Sequence, residues 1–431
     1  MKGFLLSILL VSGTPWSLSD CIQYALDHNI SIQQSGLSVK QKEIALNTAQ
    51  NRFLPGVSGG VSQNFSFGRG LTADNTYANT NTTNTSLSLG ADMPLFQGLQ
   101  LVNNVKMSRL DLEAATKDLE KAKDDIRIAV AQAYVQILFN QEILQVARNQ
   151  VSIDSMQVVR LENMRLNGKA SEADVVAQKA TLAQSRLTET QSENNLKISI
   201  LDLTQLLELE SPEGFSIITP LTDGVGKEML MNPEEIYLQA IEEKPSVLAE
   251  KIRLDYADRN IAIAKGAFSP TLSLNGGLGT NYYTTSDRPS ASFNNQLSNN
   301  FSQYIGLSLN VPIFSRMANK NNLKTAQLNY TNQQLQLENV KKTLYKEIQQ
   351  AYYNAVASQT KLVSSEQAAL SAETSFNLTR EKYENGKANI TEYNESKNRQ
   401  LEAASNYLQA LYECLYQTKL LDFYQGLDIV F

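Results

Sequence analysis

The sequence predicts a mainly helical protein with a small set of membrane-type β-strands, arranged as one helix–strand–strand–helix unit that occurs twice. Three observations lead to this fold class. Short sequence matches recur at a nearly constant spacing, two long segments contain no proline, and four shorter segments alternate apolar with polar residues. Together they predict that the helices and strands are shared equally between two copies of the unit.

Composition limits the classes of function that the chain can have. The chain has 431 residues, of which 42% are hydrophobic and 19% charged, so it can form a folded core. Its net charge of −6 opposes binding to the phosphates of nucleic acid. One histidine and two cysteines leave little material for zinc, iron–sulfur or histidine-dependent chemistry. We therefore expect no enzyme, no catalytic residues, no metal and no cofactor.

The first residues, 1–16, have the features of an export signal. Lys2 precedes an apolar run from Phe4 to Val11, and small or polar residues follow it. The run is too short to cross a bilayer as a helix, and no later stretch reaches about 18 uninterrupted apolar residues. There is no A-x-A motif, so the cleavage site stays open. Insertion into a membrane would therefore use β-strands.

An internal duplication divides the rest of the chain into two copies, 17–208 and 233–431, joined by the segment 209–232. This linking segment is rich in proline, glycine and threonine. The matches that define the copies are Phe53-Leu54-Pro55 with Phe268-Ser269-Pro270, Pro94-Leu95-Phe96 with Pro312-Ile313-Phe314, Ala133-Tyr134 with Ala351-Tyr352, and Asn167-Gly168-Lys169-Ala170 with Asn385-Gly386-Lys387-Ala388. Their spacing is about 215 residues before the strands and about 218 after them.

Each copy is predicted to begin with a helix, about 20–52 in the first copy, and to contain one very long helix after its strands. The long helices cover about 99–166 and about 316–385. A helix of ~68 residues is about 100 Å long. The apolar residues of the first one recur in steps of three and four, the period of a coiled coil: Ala115, Leu119, Ala122, Ile126, Val130, Ala133 and Ile137. A second apolar set on another face indicates a neighbour on each side, as in a ring of helices.

Four segments alternate as expected of strands that face lipid on one side and water on the other. They are predicted at about 55–67, 84–96, 270–283 and 301–313. Aromatic residues lie at both ends of these segments, and the connections between paired strands are rich in Asn, Thr and Ser. A water-soluble β-sandwich alternates in the same way and is the alternative.

Assembly follows from the number of strands. Four strands cannot close a barrel, and an open edge in lipid would leave backbone groups unpaired. Two copies would close a barrel of eight strands with little lumen, whereas three copies would supply twelve.

The chain resembles the TolC-like outer-membrane efflux protein family over nearly its whole length after the export signal. The duplicated unit carries the resemblance, together with the strand-to-helix junctions and the turns at Asn167-Gly168-Lys169 and Asn385-Gly386-Lys387. It implies a homotrimer whose twelve-stranded β-barrel lies in the outer membrane and continues as a twelve-helix α-barrel in the periplasm. It also implies an exit duct for efflux or type I secretion, which conducts solutes passively and docks to a periplasmic adaptor joined to an inner-membrane pump.

The resemblance implies two groups of site residues. The two turns, Asn167, Gly168 and Lys169 with Asn385, Gly386 and Lys387, would contact the adaptor, although each glycine could equally serve only to end a helix. Glu392 and Glu395 would ring the closed entrance, with Asp174 at the position of Glu392 in copy one. Rings of carboxylates attract cations. Alternatively, these acidic residues only stabilise the starts of their helices by interacting with the helix dipole. Ala388 stands where some family members have a basic residue, so the resemblance does not extend to a gate salt bridge there.

Three sequence features resemble functional sites, but the residues around them favour a structural role. The run Gly56-Val57-Ser58-Gly59-Gly60 fits G-x-S-x-G, but it lies in a predicted strand and has no histidine partner nearby in the sequence. His28 is interpreted as a polar helix residue. Tyr134 and Tyr352 are expected to pack between helices rather than to line a lumen.

The two cysteines are interpreted as structural residues. Cys21 follows an aspartate, where a lipid anchor would need a small residue, and is predicted to be buried on a helix. A disulfide with Cys414 is not expected, because the two would lie ~15 Å apart along the predicted barrel.

A periplasmic helical scaffold or adaptor without a membrane pore is the alternative function. Adaptors also have long helical hairpins, but they lack paired alternating strands between the helices and this duplication. The sequence does not name the transported solute, the pump or the adaptor.

Overall fold

A computed structural model describes residues 15–72, 74–222, 224–286 and 289–431. Most of the predicted export signal, 1–14, lies outside the described residues. Trp16, which the prediction assigned to that signal, is part of the folded chain: its amide donates to Ser216 O at 2.9 Å, and Ile218 N donates to Trp16 O at 2.9 Å. The boundary at 16 stays a prediction, and these bonds join the linking segment 209–232 to the start of the described chain at Ser216 and Ile218.

The elements follow the predicted order of helix, strands, long helix and helix in each copy. In the first copy they are α1 Leu18–His28, α2 Ile30–Asn51, β1 Gly56–Ser66, β2 Arg69–Leu71, β3 Tyr77–Asn79, β4 Thr82–Gln97, α3 Gln100–Leu166 and α4 Glu172–Leu206. In the second copy they are α5 Pro233–Glu243, α6 Pro245–Gly266, β5 Thr271–Thr285, α7 Phe293–Asn299, β6 Ser302–Asn310, α8 Ala318–Glu384 and α9 Ile390–Tyr424. The short elements β2, β3 and α7 lie between the predicted paired strands, in connections rich in Asn, Thr and Ser.

The first helix of each copy is broken, whereas the sequence predicted one continuous helix. The break is at Asn29, whose backbone is extended with ψ 128°, and at Lys244 with ψ 127°. Asn29 Oδ1 accepts from the amide of Ser31 at 2.9 Å and so begins α2, while its Nδ2 donates to Leu206 O at 3.0 Å. In the second copy Pro245 disfavours helical backbone at the residue before it. The Asn29 side chain thus satisfies an amide that the break in the first copy exposes.

The four long strands form one antiparallel sheet in the order β1-β4-β5-β6. Residues directly opposite each other point to the same face, so the register shows whether the predicted apolar sets coincide. Leu274 lies opposite Met93 and Leu307, and Leu89 lies opposite Leu278. The apolar residues of all four strands therefore share one face, and serines, asparagines and glycines occupy the other.

The chain divides into two compact units, and each contains parts of both sequence copies. One unit takes residues up to Leu37, Thr116–Leu248 and Glu338–Phe431; the other takes Ser38–Ala115 and Ala249–Leu337. The sequence copies are thus repeats of secondary structure and not separate compact bodies. The physical reason is that one helix–strand–strand–helix unit cannot bury its own apolar faces.

The first unit has a core built around the middle of α3. Val130, Tyr134 and Ile137 pack there against Leu203 of α4 and Cys21 of α1, and each of these side chains is almost completely buried. The Tyr134 hydroxyl donates to Ile218 O at 2.6 Å, with Trp16 O at 3.1 Å. Tyr134 is therefore a core residue, as expected, and Tyr352 of the second copy is half-buried.

Candidate functional site at the helix-hairpin turns

The two predicted docking turns have the same backbone structure. Gly168 has φ +69° and Gly386 has φ +72°, a conformation that glycine adopts without strain. After each glycine a lysine amide closes the end of the preceding helix: Lys169 N donates to Met164 O at 2.8 Å, and Lys387 N donates to Lys382 O at 2.7 Å. This six-residue bond is the Schellman motif. The glycines therefore have a sufficient structural role, and adaptor contact remains a prediction.

The asparagine of each turn strengthens it. Asn167 Nδ2 donates to Asn163 O at 2.8 Å, and Asn385 Nδ2 donates to Glu381 O at 2.9 Å. Each side chain thus adds a second donor to a carbonyl in the last helical turn that also accepts from the backbone amide of the same asparagine. The turns present exposed lysines beyond a rigid backbone.

Two of the three predicted entrance carboxylates begin helices. Asp174 Oδ2 accepts from Ser171 N at 3.1 Å and from Ser171 Oγ at 2.7 Å, which holds the pKa of Asp174 below its usual value. Glu392 occupies the same place in the second copy, where Asn389 Nδ2 donates to Glu392 Oε1 at 3.0 Å. Asp174 is half-buried and Glu392 is exposed. Their negative charges interact favourably with the positive end of the helix dipole, which is the alternative that the sequence left open. A ring of carboxylates needs further copies of the chain and remains a prediction.

Glu395, the third predicted carboxylate, lies on the surface of α9. It forms an ion pair with Arg399, one helical turn on, at 3.3 Å, and both side chains are more than half exposed. The structure places Glu395 one turn after Glu392 on the same helix.

A cluster of aromatic side chains packs the end of α8 against α3. The rings of Tyr383 and Tyr393 lie 4.9 Å apart, and Arg160 lies over the Tyr383 ring at 5.3 Å. Gln157 Nε2 donates to the Tyr383 hydroxyl at 2.8 Å. Burial raises the pKa of Tyr383, so this hydroxyl stays protonated at neutral pH. These contacts give the two hairpin ends a fixed relation within the first unit.

A buried ion pair near the turns was not predicted. Lys397 Nζ of α9 lies 2.6 Å from Asp154 Oδ1 of α3, and their side chains are 2% and 0% exposed. A polar residue in a helical pattern is normally interpreted as solvated, and the partners are far apart in sequence. The signal that could have found them is position: with 3.6 residues per turn, Lys397 follows the buried Tyr393 by about one turn.

The remaining residues that the sequence singled out lie in positions that give no sign of catalysis or metal binding. Cys21 and Cys414 are both free and buried, so the disulfide is absent, and burial raises the pKa of the Cys21 thiol to about 12. Ser58 of the G-x-S-x-G run is in the exposed strand β1, and His28 Nδ1 lies 3.0 Å from Tyr24 O. Within the described ranges, no cluster of His, Cys, Asp or Glu could hold a metal ion. None of the helices described has the length and hydrophobicity to cross a membrane.

The sheet and the helices leave apolar surface exposed. On β1, Val61 is 74% exposed; on β6, Ile305 is 79% and Leu307 is 67% exposed. Exposed apolar residues also recur at seven-residue spacing on two helices: Ile30, Leu37 and Ile44 of α2, and Val356, Val363 and Leu370 of α8. Rows at this spacing are seams of coiled coils, which pack against another helix.

The outer end of the sheet is closed by α7. Strand β6 pairs with β5 only as far as Gly279, so the next residues of β5 lose their partner on that side. Gln296 of α7 replaces it: its Nε2 donates to Tyr283 O at 2.9 Å and its Oε1 accepts from Tyr283 N at 2.9 Å. Asn300 Nδ2 donates to Asn281 O at 2.8 Å. Side-chain amides thus form hydrogen bonds with the backbone groups of β5 that β6 does not reach.

Comparison with known proteins is consistent with this geometry. The sequence profile of a family described as "Outer membrane efflux protein" matches residues 21–208 and 236–426. The outer membrane protein TolC of Vibrio cholerae is 24% identical over 315 residues, which are 72% of this chain and 70% of that protein. OprJ of Pseudomonas aeruginosa is 23% identical over 386 residues, 86% of this chain and 76% of OprJ. The CmeC outer membrane channel of Campylobacter jejuni shares the fold, with a TM-score of 0.80 over 98% of this chain and 91% of CmeC at 17% identity.

Proposed function

The chain belongs to the outer membrane efflux protein family, and from this membership we propose that three copies of it form a closed exit duct through the outer membrane. The family is one of transport proteins, and the chain is the outer-membrane component of an efflux system. Solutes delivered on the periplasmic side pass through the duct without chemical change.

One observation carries the proposal: the sheet has two free edges and one apolar face. Strands β1 and β6 are the edges, and they run in opposite directions because every neighbouring pair between them is antiparallel. The β6 edge of one copy can therefore pair with the β1 edge of the next as an antiparallel ladder. Such pairing gives the backbone N–H and C=O groups of every edge strand a hydrogen-bond partner, which is required of strands in lipid. Three copies give twelve strands, enough to enclose a lumen.

The exposed helical seams support the same assembly. The seven-residue rows on α2 and α8 have no partner within the described chain that buries them, and apolar rows of this kind drive helix association. A neighbouring copy would bring helices of its own against these rows. The helices of three copies would then form one α-barrel.

The partners are an adaptor and an inner-membrane pump. The family is one of outer membrane efflux proteins, and such a duct needs energy from elsewhere because no nucleotide-binding motif is present in its sequence. The two rigid turns, Asn167-Gly168-Lys169 and Asn385-Gly386-Lys387, would be the contact surface for the adaptor. Their exposed lysines and identical backbones suit a repeated contact around a ring.

The entrance carries the predicted carboxylates. Glu392 and Glu395 are exposed near the start of α9, and Asp174 is half-buried near the start of α4. In a trimer each position would recur three times, and rings of carboxylates favour cations. The ring would bind polyvalent cations at the closed entrance.

Two neighbouring residues of β6 give a matched test of the membrane barrel. Leu307 lies on the apolar face, and Ser308 lies on the polar face, where it is paired with Ser273. A lysine facing lipid at the bilayer centre costs about 2–4 kcal/mol. Leu307→Lys should therefore reduce insertion into membranes, whereas Ser308→Lys should insert and form conducting channels in a planar bilayer.

The alternative function makes a different prediction for the same proteins. A periplasmic scaffold would be recovered in the soluble fraction, would not conduct, and would tolerate both lysines on its surface. Equal recovery of the two variants from the soluble periplasm would therefore end the channel proposal.

A further inference from the structure

The side chain of Tyr304 on β6 covers the backbone of Gly277, the residue directly opposite it on β5. A Cβ added to Gly277 would lie 2.7 Å from Tyr304 Cε1, 3.0 Å from Cζ and 3.1 Å from the hydroxyl oxygen. The outer edge of the phenol ring therefore occupies the space in which any other residue at position 277 would have its first side-chain atom. The Tyr304 side chain is nevertheless 66% exposed.

The residues beside Tyr304 on the same face of the sheet are small. Tyr304 is opposite Gly277, Gly277 is opposite Gly90, and Gly90 is opposite Ser58. Residues directly opposite each other point to one face, which here is the polar face. The row across the sheet thus consists of one tyrosine, two glycines and one serine, and the tyrosine is by far its largest side chain.

Tyr304 is also set apart on the polar face as a whole. Among the residues of β1, β4, β5 and β6, the other aromatic residue on this face is Tyr283, which lies near the outer end of the sheet opposite Asn84 and is bound there by Gln296. A ring that covers a glycine on the neighbouring strand also stabilises a sheet. Stabilisation of the β5–β6 pair is therefore the alternative role for Tyr304.

In the trimer that the proposed function requires, the apolar face contacts lipid and the polar face lines the lumen, so Tyr304 occurs three times at one level of the barrel. We propose that Tyr304 contacts passing solutes and sets the width of the lumen at this level, and that Gly277 is the positioning residue that lets its ring lie against the wall. The inference rests on the proposed function. The exposed ring suits planar apolar parts of a solute, since aromatic faces stack with such groups.

A side chain at position 277 would displace the ring from the wall. Carbon atoms in contact are about 3.5–4.0 Å apart, so a Cβ that lies 2.7 Å from Tyr304 Cε1 moves the ring edge by about 1 Å. The ring is the far end of a side chain that rotates, so the backbone need not move. Valine has two further methyl groups at this position and excludes the ring from it. Displaced rings narrow the lumen, and removal of the ring widens it.

Gly279 provides a matched control on the same strand and the same face. A Cβ added there would lie 3.7 Å from Leu87 O and 3.8 Å from Ser302 Oγ, which are ordinary contacts. Gly279→Ala therefore adds the same methyl group as Gly277→Ala without displacing an aromatic ring.

Labelling of a cysteine beyond the ring measures the width of the lumen. Ser308 is on the polar face, four residues closer to the helices than Tyr304. Cys21 and Cys414 are buried, so S308C supplies the accessible thiol. Maleimide-polyethylene glycols of increasing mass are added outside intact cells, and the labelling rate of trimers recovered from the outer membrane is measured. The chain without S308C gives the background.

Each substitution at positions 304 and 277 is made in the S308C chain. With the largest reagent that enters S308C itself, Tyr304→Ala should be labelled at least about threefold faster and Gly277→Val at least about threefold slower, a change of about 0.7 kcal/mol in the barrier to passage. Gly277→Ala should lie between Gly277→Val and Gly279→Ala, and Gly279→Ala should match S308C. The smallest reagent should label all of them at one rate.

The double variant Gly277→Val/Tyr304→Ala separates the ring from the valine. It should be labelled as fast as Tyr304→Ala, because no ring remains to be displaced. A double variant as slow as Gly277→Val, or a Tyr304→Ala variant no faster than S308C, would overturn the inference in favour of a purely stabilising contact. If Gly277→Val does not assemble, Gly277→Ala decides: slower labelling than Gly279→Ala supports the inference, and equal labelling overturns it.

Failure of the proposed function has a different signature. S308C protein recovered from the soluble periplasm, or labelled at one rate by reagents of every mass, would show that position 308 does not line a lumen. That result would contradict the exit duct itself, whereas membrane trimers with size-dependent labelling that ignores Tyr304 would contradict only the inference.

Discussion

Replacing Gly98 with alanine tests how the strands join the long helices. Between β4 and α3 the chain turns through Gly98 and Leu99, with φ +57° and +63°. The second copy makes the same turn through Arg316 and Met317, with φ +51° and +65°. Residues with side chains therefore adopt this left-handed turn, and the backbone conformation alone does not require glycine at position 98.

The requirement comes from a close approach of two backbones. A Cβ added to Gly98 would lie 2.7 Å from the Cβ of Ser269 and closer still to the carbonyl oxygen of Gly266. A Cβ added to Gly266 would lie 2.5 Å from Gly98 O. Overpacking of this kind costs about 1–3 kcal/mol, and a left-handed residue with a Cβ costs about 1–2 kcal/mol more. We expect Gly98→Ala to reduce the free energy of unfolding by about 2–5 kcal/mol.

The measurement is urea unfolding of the detergent-solubilised protein, with Arg316→Ala as the matched control. Arg316 already has a Cβ in the same left-handed conformation and is exposed, so its replacement should change stability by about 0.5 kcal/mol or less. If Gly98→Ala unfolds at the same urea concentration as Arg316→Ala, the close approach does not constrain this junction and the reasoning fails.

Three further predictions concern the entrance and the helix ends. The double substitution Glu392→Gln/Glu395→Gln should weaken block of the channel by polyvalent cations, measured as single-channel current; unchanged block would remove the carboxylate ring. Asn29→Ala should lower the free energy of unfolding by about 1–2 kcal/mol, because it removes a helix cap and a bond to α4; full stability in urea would contradict that role. Ser171→Ala should destabilise the protein more near neutral pH than below pH 3.8, because the lowered pKa of Asp174 supplies stability that is lost as pH falls through it; a pH-independent difference in urea midpoints would contradict this.

Much of the fold follows from periodicity in the sequence. The predicted long helices end within two residues of α3 and α8, and the four predicted strands overlap β1, β4, β5 and β6. Long segments with one period and no proline leave few alternatives. The turns were also predictable, because a glycine after a long helical pattern requires the positive φ that Gly168 and Gly386 have.

The failures have local or long-range causes. The break at Asn29 was missed because asparagine is tolerated on a helix surface, and only its bond to Leu206 O shows why the helix stops there. The helix α7 has seven residues, too few for a periodic pattern. The pair Asp154 and Lys397 was missed because a pattern within one segment does not reveal a partner on a distant helix.

The candidate site also has parts that the sequence predicted and parts that it did not. The sequence located the two turns and the acidic residues beside them, since both are local features. It did not show that Ser171 and Asn389 cap the helices in whose first turns Asp174 and Glu392 lie, which depends on the extended backbone of the two cap residues. A ring or a docking surface belongs to an assembly, and one chain contributes only a third of it.

The central claim is that this chain cannot complete its sheet alone and closes it with further copies. The most direct test is the mass of the detergent-solubilised complex, corrected for bound detergent, combined with hydrogen exchange of β1 and β6. The account predicts three copies of the 47.8-kDa chain, less any export signal removed, with both edge strands protected from exchange. A stable monomer whose β1 and β6 amides are protected to the same degree would contradict it.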